Sequence, residues 1–166
     1  KNRTADIHDL ILFGTKYNFE VAQITAQELN EIAVSSTKIR TALDDGNITL
    51  ANDYLGYPYS FSGKVVQGNQ LGRTIGFPTA NYSLIETNKI LPQLGVYLTK
   101  SQIQTSSGII ERFGLTNIGF RPTVTSTLSL SIETNLLDFD ADIYGCTINT
   151  QFLQRIRSEV KFNSIE

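Results

Sequence analysis

Hydrophobic and polar residues follow two different patterns in the two parts of the chain. In the first part, apolar residues recur at helical spacing, and a helix is predicted near Ala5 to Lys16 with Ile7, Leu10 and Ile11 on one side. The run FEVAQI, Phe19 to Ile24, predicts a strand. Together these elements favour an α/β arrangement at the start of the chain.

Two short helices are predicted in the next stretch. Ser35 and Ser36 stand before TKIRTALDD with Gly46 just beyond it, which fits a serine N-cap, a helix and a glycine after its end. A second helix near Thr49 to Leu55 is expected to stop at Gly56.

Beyond residue 57 the pattern changes to short strands separated by turns. All four prolines and nine of the twelve glycines lie there, and LSLSIE alternates apolar and polar residues with a period of two. Helical spacing returns at Leu153 to Val160, which predicts a C-terminal helix. Six strands in so short a stretch favour a closed antiparallel barrel. The predicted strands are Tyr59–Val66, Thr79–Ser83, Gly95–Ile103, Ile109–Asn117, Leu128–Leu137 and Thr147–Phe152.

Composition narrows the classes of function. The net charge is −2 with no long block of one sign, which argues against a nucleic-acid binder that depends on many phosphate contacts. Cys146 is the single cysteine, so no intrachain disulfide can form and a reducing, cytoplasmic setting is expected. No apolar run is long enough to cross a membrane. The chain begins at Lys1 and contains no methionine, which we interpret as a piece of a longer protein.

The single histidine, His8, restricts the available chemistry. A Ser-His-Asp triad would need this residue far out in the first segment, and a zinc site of the usual Cys/His kind lacks ligands. Catalysis would therefore depend on carboxylates, hydroxyls, amides, backbone groups and hard cations, which suit phosphoryl transfer.

The most distinctive stretch is GKVVQGNQLGRTIGFPTAN, which starts at Gly63 and ends at Asn81. Its glycines allow the backbone to approach a ligand closely, and Lys64 and Arg73 add positive charge. Thr79 and Asn81 are two residues apart, so in a strand they face the same way, and their oxygens are hard ligands suited to Mg²⁺. Ordinary hairpin turns and strand residues that bond to backbone would account for the same letters.

Four ordered motifs resemble the riboflavin kinase family. GFPTAN follows the glycine-rich stretch and precedes LGVY, and TNIGFRPT, IETNLLDFDADIYG and RIRSEVKF come after it in the family's order. The likeness covers about Tyr57 to Glu166. Upstream, VSSTKIR and ANDYLGYPYSFSG are similar to the end of the adenylyltransferase half of bacterial bifunctional riboflavin kinase/FMN adenylyltransferases, also called FAD synthetases.

The resemblance implies a mainly β protein: a six-stranded antiparallel Greek-key barrel with a C-terminal helix, after an N-terminal α/β remnant. Residues 1–45 would be the end of the adenylyltransferase domain, 46–56 a helical linker and 57–166 the riboflavin kinase domain. The expected reaction transfers the γ-phosphoryl group of Mg²⁺-ATP to the ribityl 5′-hydroxyl of riboflavin, giving FMN and ADP. Adenylyltransferase activity is not expected, because the nucleotide-binding core of that half is absent from this chain.

The resemblance also implies roles for individual residues. Glu133 would be the catalytic base, and Thr79 and Asn81 would hold Mg²⁺ and phosphate. Further nucleotide-binding residues would be Gly63, Lys64, Gly68, Arg73 and Asn117, and flavin-binding residues would be Arg157, Glu159 and Phe162. Taken without the family, an isolated glutamate on a polar strand face is an ordinary solvated residue. Asp138, Asp140 and Asp142 alternate near this strand and are interpreted as mostly structural, with a place near the flavin as the alternative.

Two other functions stay open at this point. A flavin- or nucleotide-binding barrel without catalysis would bind ligand and form no FMN. An oligonucleotide-binding barrel is disfavoured by the acidic balance and by the lack of basic and aromatic residues interleaved on strands. Neither nucleic acid nor membrane is expected as a partner.

Overall fold

The computed structural model of the protein describes residues 6–23, 28–29, 32–68, 78–85, 88–122 and 128–159. The chain divides into two compact units, residues 1–34 and residues 35–166. The described residues contain three helices: α1 (Ile7–Tyr17), α2 (Ser36–Asp44) and α3 (Ile48–Leu55). None of these helices has the length and apolar character needed to cross a membrane.

The first unit contains α1 and a two-residue ladder of β1 (Glu28–Leu29) and β2 (Ile32–Ala33). The Asp6 carboxylate accepts the backbone N–H groups of the first turn of α1 and so caps the predicted helix. The strand predicted at Phe19–Ile24 is wrong over residues 19–23, which are not in a strand. Within the described residues that segment pairs with no other strand, and an extended segment without a partner gains no ladder hydrogen bonds.

The second unit is a closed barrel of six antiparallel strands in the order β3-β4-β7-β6-β5-β8. Strands β5, β6 and β7 form a meander, and the last of them, β7, lies beside β4, the strand that precedes the meander. This arrangement is a Greek key. The predicted barrel is confirmed, as are all six strands. Their bounds are β3 (Ser60–Val66), β4 (Thr79–Leu84), β5 (Gly95–Thr105), β6 (Gly108–Pro122), β7 (Leu128–Leu136) and β8 (Thr147–Arg157).

The C-terminal helix predicted at Leu153–Val160 is wrong over residues 153–157, which continue β8. Two register shifts in the pairing with β5 let the strand run on, so that Arg157 lies opposite Val96. Helical spacing of apolar residues is a weak preference, and pairing with an existing strand overrides it. Residue 160 lies outside the described residues.

Alternation along the strands fills the barrel. Every second residue of β5 from Gly95 to Ile103 is buried, as expected for a strand with one face toward a core. The rings of Phe61 and Phe152 lie 4.8 Å apart, and those of Tyr97 and Phe152 lie 5.3 Å apart. These aromatic pairs join β3, β5 and β8 across the interior.

The interior also holds a cluster of hydrogen-bonded hydroxyl groups, which we call the hydroxyl cluster. Thr116 Oγ1 lies 2.8 Å from Thr99 Oγ1 and 2.7 Å from Thr134 Oγ1. Tyr82 donates its hydroxyl to Thr150 Oγ1 at 3.1 Å, and its oxygen lies 3.3 Å from Thr134 Oγ1. Burying hydroxyls is tolerated because they satisfy one another. The members are Tyr82, Thr99, Ser101, Thr116, Thr134 and Thr150.

Helices α2 and α3 belong to the same unit as the barrel. Leu43, Ile48 and Ala51 are buried, and Asn52 joins α3 to the barrel through two hydrogen bonds. Its amide donates to the carbonyl of Phe152 at 2.8 Å and accepts the N–H of Tyr59 at 2.7 Å. The residues predicted to form a linker therefore pack on the barrel.

Candidate active site

Glu133 belongs to a row of paired residues that runs from strand to strand around the barrel. On β7 it lies opposite Asn81 of β4 on one side and opposite Asn117 of β6 on the other. Asn117 is opposite Val96 of β5, and Val96 is opposite Arg157 of β8. Neighbouring strands are about 4.8 Å apart, so Asn81, Glu133 and Asn117 lie side by side, whereas Arg157 is three strands away from Glu133.

The Glu133 carboxylate is held at both oxygens. Ser131 donates its hydroxyl to Oε1 at 3.0 Å, and Thr79 donates its hydroxyl to Oε2 at 3.3 Å. Ser131 is on the same strand, two residues earlier, and Thr79 is on β4. Because the two hydroxyls approach different oxygens, they fix the orientation of the carboxylate plane while leaving lone pairs for a further donor.

The start of β4 is tied to β7. Thr79 lies opposite Asn135, and the Asn135 amide donates to the carbonyl of Pro78 at 2.9 Å. This hydrogen bond fixes the residue before Thr79 and so helps to place its hydroxyl beside Glu133. The sequence spacing predicts that Thr79 and Asn81 share one face of a strand. Their partners on β7, Asn135 and Glu133, are also two residues apart, as this prediction requires.

Asn81 is only 9% exposed and lies against the backbone of Gly68. A Cβ on Gly68 would lie 2.3 Å from Nδ2 of Asn81 and 2.5 Å from its Cγ. No residue other than glycine leaves this space free. Gly68 therefore determines where the Asn81 amide can lie.

A cavity of about 410 Å³ adjoins these residues, within the size range of small-molecule sites. Thr79, Asn81 and Gly68 line it together with apolar side chains. The remaining lining residues are Val65, Pro78, Ala80, Thr134, Leu136, Phe139, Asp140, Ala141, Asp142, Ile143 and Tyr144. Glu133 does not itself line the cavity; Thr79, which lines it, connects the cavity to the Glu133 carboxylate through its hydrogen bond.

The loop of residues 139–146, which forms one wall of the cavity, is anchored on β3. Gly145 donates its N–H to the carbonyl of Val65 at 3.0 Å, and Val65 donates to the carbonyl of Cys146 at 2.9 Å. Arg112 of β6 lies over the ring of Phe139, 5.7 Å from its centre. These contacts give the cavity a fixed wall.

The structure does not bring every predicted residue to this cavity. Gly63 is buried in the middle of β3 against the ring of Tyr82, and Lys64 is exposed between Ser83 and Thr147 on the neighbouring strands. Neither lines the cavity.

The residues predicted for the flavin lie on the other side of Glu133. Arg157 is at the end of β8, and its guanidinium donates to the carbonyl of Ser158 at 3.1 Å. Glu159 lies against Gly119 of β6. Arg73 and Phe162 lie outside the described residues.

The donors beside Glu133 suit a hard cation that keeps water and substrate oxygens among its ligands. A hydroxyl, an amide and a carboxylate are the oxygen ligands that Mg²⁺ accepts. In the described part of the chain no three His, Cys, Asp or Glu residues group into a metal site. An ion here would therefore depend on substrate phosphates for much of its coordination.

Sequence reasoning missed the loop of residues 139–144 as a wall of the site. The three alternating aspartates were interpreted as mostly structural, yet Asp140 and Asp142 line the cavity. The aromatic residues Phe139 and Tyr144, which stand among turn-forming residues, could have indicated a ligand-binding loop. Their place beside β4 depends on the barrel order, which brings β3, β4 and β7 together and is not visible in local spacing.

Comparisons with known proteins identify a family for this chain. The family model described as "Flavokinase: Riboflavin kinase" matches residues 55–166. Proteins named bifunctional riboflavin kinase/FMN adenylyltransferase are similar: that of Bacillus subtilis is 43% identical over 88% of this chain and 44% of its own length. That of Listeria monocytogenes is 40% identical over 89% of this chain and 46% of its own length. The chain thus spans about half the length of these curated relatives.

A solved structure is also similar. The crystal structure of a protein named macrolide-efflux protein, from Streptococcus pneumoniae, has a TM-score of 0.79 and 36% identity, and the match covers 92% of this chain and 48% of that one. The family model matches more than half of the chain, over the whole of the barrel that carries the row through Glu133. The chain therefore belongs to the riboflavin kinase family.

Proposed function

We propose that this chain transfers the γ-phosphoryl group of ATP to the ribityl 5′-hydroxyl of riboflavin, giving FMN and ADP. The observation that carries the proposal is the contact between Thr79 and Glu133 at 3.3 Å, at the edge of a cavity of about 410 Å³. This contact connects a carboxylate that can accept a proton with the polar wall of the cavity, where the γ-phosphate of a bound triphosphate can lie. Membership of the family supports the choice of riboflavin as acceptor.

Glu133 is the proposed catalytic base. An alcohol is a weak nucleophile until a carboxylate orients it and accepts its proton. The hydrogen bonds from Ser131 and Thr79 hold the carboxylate ready for this role. In the step itself, the bond between the γ-phosphorus and the bridging oxygen of ADP breaks, a bond from the 5′-oxygen to that phosphorus forms, and the proton passes to Glu133.

Thr79 and Asn81 are the proposed ligands of the nucleotide and of Mg²⁺. Both line the cavity, and both lie beside Glu133. A hydroxyl and an amide can bind phosphate oxygens without adding charge, and Gly68 keeps the Asn81 amide in place. Bound Mg²⁺ would offset negative charge on the phosphates during transfer.

The cavity is the proposed nucleotide pocket. Leu136, Phe139, Ile143 and Tyr144 offer apolar surface to a flat base, and Thr79 and Asn81 offer polar groups to the phosphates. The carboxylates of Asp140 and Asp142 would repel phosphate and can accept hydrogen bonds from base or ribose. Gly63, Lys64, Arg73 and Asn117 are further proposed nucleotide-binding residues. Of these, Gly63, Lys64 and Asn117 do not line the cavity.

The flavin is proposed to bind on the side of Glu133 away from the cavity. Arg157, Glu159 and Phe162 are its proposed binding residues. Arg157 lies in the same row of paired residues as Glu133, and Glu159 lies at Gly119, two residue pairs further along β6. Two substrates on opposite sides of the carboxylate would place the 5′-hydroxyl between the base and the γ-phosphate.

The wider setting follows from the relatives. Their names include FMN adenylyltransferase, and this chain spans about half their length. We propose that residues 1–45 end an adenylyltransferase domain, residues 46–56 form the linker and residues 57–166 form the kinase domain. The lone thiol of Cys146 fits a reducing cytoplasm.

The direct test uses the purified chain with ATP, Mg²⁺ and riboflavin, and separates riboflavin from FMN by chromatography. The proposal expects FMN and ADP in equal amounts. Binding of both ligands without FMN would instead favour the non-catalytic flavin- or nucleotide-binding barrel. Omitting Mg²⁺ is expected to abolish turnover, and its restoration to recover it.

A further inference from the structure

Gly119 on β6 and Glu159 after β8 are in unusually close contact. A Cβ placed on Gly119 would lie 2.0 Å from Oε1, 2.6 Å from Cδ and 3.1 Å from Oε2 of Glu159. The carboxyl group thus occupies the space that any other residue at position 119 would fill. Strand β8 pairs with β5, and β5 lies between it and β6. Because β5 begins at Gly95, opposite Ile118, Gly119 lies just beyond the start of β5, where the residues after β8 can reach β6.

The contact lies next to the proposed base. Gly119 is opposite Ser131, the residue whose hydroxyl donates to Oε1 of Glu133 at 3.0 Å. Asn117, two residues before Gly119, is opposite Glu133 itself. Residues two apart on a strand are separated by roughly 7 Å, so Glu159 docks two residue pairs away from the pair of Asn117 and Glu133.

We propose that Gly119 is a positioning residue that acts through Glu159. By leaving its Cα uncovered, it lets the Glu159 carboxylate dock, and this contact holds residues 158–159 beside the face where the acceptor riboflavin binds. The inference rests on the proposed function. Gly119 lies opposite Ser131 and does not line the proposed nucleotide pocket, so its expected effect is on riboflavin binding rather than on ATP binding.

The fold tolerates a change at this site better than at a neighbouring glycine. At Gly119 the obstructing atoms are the end of a flexible side chain, which can move away. At Gly114, on the same strand, a Cβ would lie 2.6 Å from the backbone oxygen of Asn135, which cannot move without disturbing β7. Gly119→Ala is therefore expected to displace Glu159 and keep the barrel, whereas Gly114→Ala is expected to weaken the barrel.

A double-mutant cycle of Gly119→Ala and Glu159→Ala tests the proposal. The dissociation constant of riboflavin is read from quenching of its fluorescence, which requires no turnover, and KM for ATP is measured alongside. Each single change is expected to weaken riboflavin binding about tenfold, equivalent to about 1.4 kcal/mol, with KM for ATP within about twofold of the wild type. The double variant should be no weaker than the weaker single variant, because both changes break one contact.

Gly114→Ala is the matched control. This substitution should lower the thermal midpoint of unfolding by the same amount whether residue 159 is Glu or Ala. Additive effects of Gly119→Ala and Glu159→Ala on riboflavin binding would overturn the inference, as would unchanged riboflavin binding in Gly119→Ala. If the cycle showed the expected non-additivity in riboflavin binding but the wild type formed no FMN, the proposed function would fail and the docking contact would stand.

Discussion

The hydroxyl of Thr79 on β4 lies 3.3 Å from the carboxylate oxygen Oε2 of Glu133 on β7. The two residues are 54 positions apart in the sequence, and strand pairing alone brings them together. This contact joins the proposed base to the proposed nucleotide pocket. It predicts that changes at either residue affect chemistry more than folding.

Thr79→Val removes the hydroxyl and keeps the shape of the side chain. We expect kcat/KM for ATP to fall roughly 100-fold, because a hydrogen bond to a charged group and a phosphate ligand are lost together. Thr79→Ser, which retains the hydroxyl, should stay within about tenfold of the wild type. Steady-state kinetics on both variants make the comparison, and equal losses in the two would contradict a specific role for the hydroxyl, because the methyl group would then matter as much.

Ser131→Ala removes the hydrogen bond to Oε1 of Glu133. We expect kcat to fall about tenfold, since one hydrogen bond to a carboxylate contributes about 1.5 kcal/mol, with little change in KM for ATP. Ser83→Ala on the exposed side of β4 is the control and should leave kcat unchanged. A Ser131→Ala enzyme with wild-type kcat would mean that this hydrogen bond does not orient the base.

Gly68→Ala should act through Asn81. Its Cβ would lie 2.3 Å from the Asn81 amide nitrogen, so the amide must move. We expect KM for ATP to rise about tenfold or more and the dissociation constant of riboflavin to stay within about twofold. The two changes Gly68→Ala and Asn81→Ala should be non-additive for ATP. A Gly68→Ala variant that loses riboflavin affinity and keeps ATP affinity would contradict this assignment.

The hydroxyl cluster predicts a stability effect without a change in shape. Thr116→Val leaves the oxygens of Thr99 and Thr134 without their shared partner, at 2.8 and 2.7 Å. The free energy of unfolding, measured by urea denaturation, should fall by about 1–3 kcal/mol. Thr147→Val, at a partly exposed site on β8, should change it by less than about 0.5 kcal/mol. Equal values for both variants would show that the cluster adds nothing to stability.

Buried tyrosines make stability depend on alkaline pH. Burial raises the pKa of Tyr82 and of Tyr97, against smaller opposing effects of hydroxyl hydrogen bonds at Tyr82 and of Arg155 at Tyr97. Tyrosine in the unfolded chain ionises near pH 10, so the folded state binds more protons above that pH and stability falls as pH rises.

The measurement for this prediction is the thermal midpoint between pH 8 and pH 11. The midpoint should be flat below about pH 10 and decline above it as the unfolded tyrosines ionise. Tyr82→Phe should flatten the decline, and Tyr57→Phe, at an exposed site, should not. An unchanged decline in Tyr82→Phe would show that this hydroxyl does not cause it.

Local patterns predicted most of the fold because the determining features are local. Ser35 caps α2 and Gly56 ends α3 with a left-handed conformation, as their residue types indicate. Alternation and turn residues predicted all six barrel strands. The pattern failed at Leu153–Arg157, where helical spacing competes with pairing to β5, a partner some 60 residues earlier. A single segment does not show which distant strand it will meet.

The candidate site was predicted in part for the same reason. The motif letters mark Thr79, Asn81 and Glu133, and the spacing explains why the first two share a face. Contacts between segments that are distant in the sequence were not predictable. They are Gly68 against Asn81, Gly119 against Glu159, and the anchoring of the loop of residues 139–146 on β3. Each depends on which backbone comes close to which side chain, and local sequence does not record that.

The most direct measurement is FMN formation by Glu133→Gln beside the wild type, with riboflavin binding measured on the same samples. The amide keeps the size of the side chain and cannot accept the proton, so turnover should fall about 100-fold or more while riboflavin binding changes less than about threefold. Wild-type turnover in Glu133→Gln would contradict the role of Glu133 as the base.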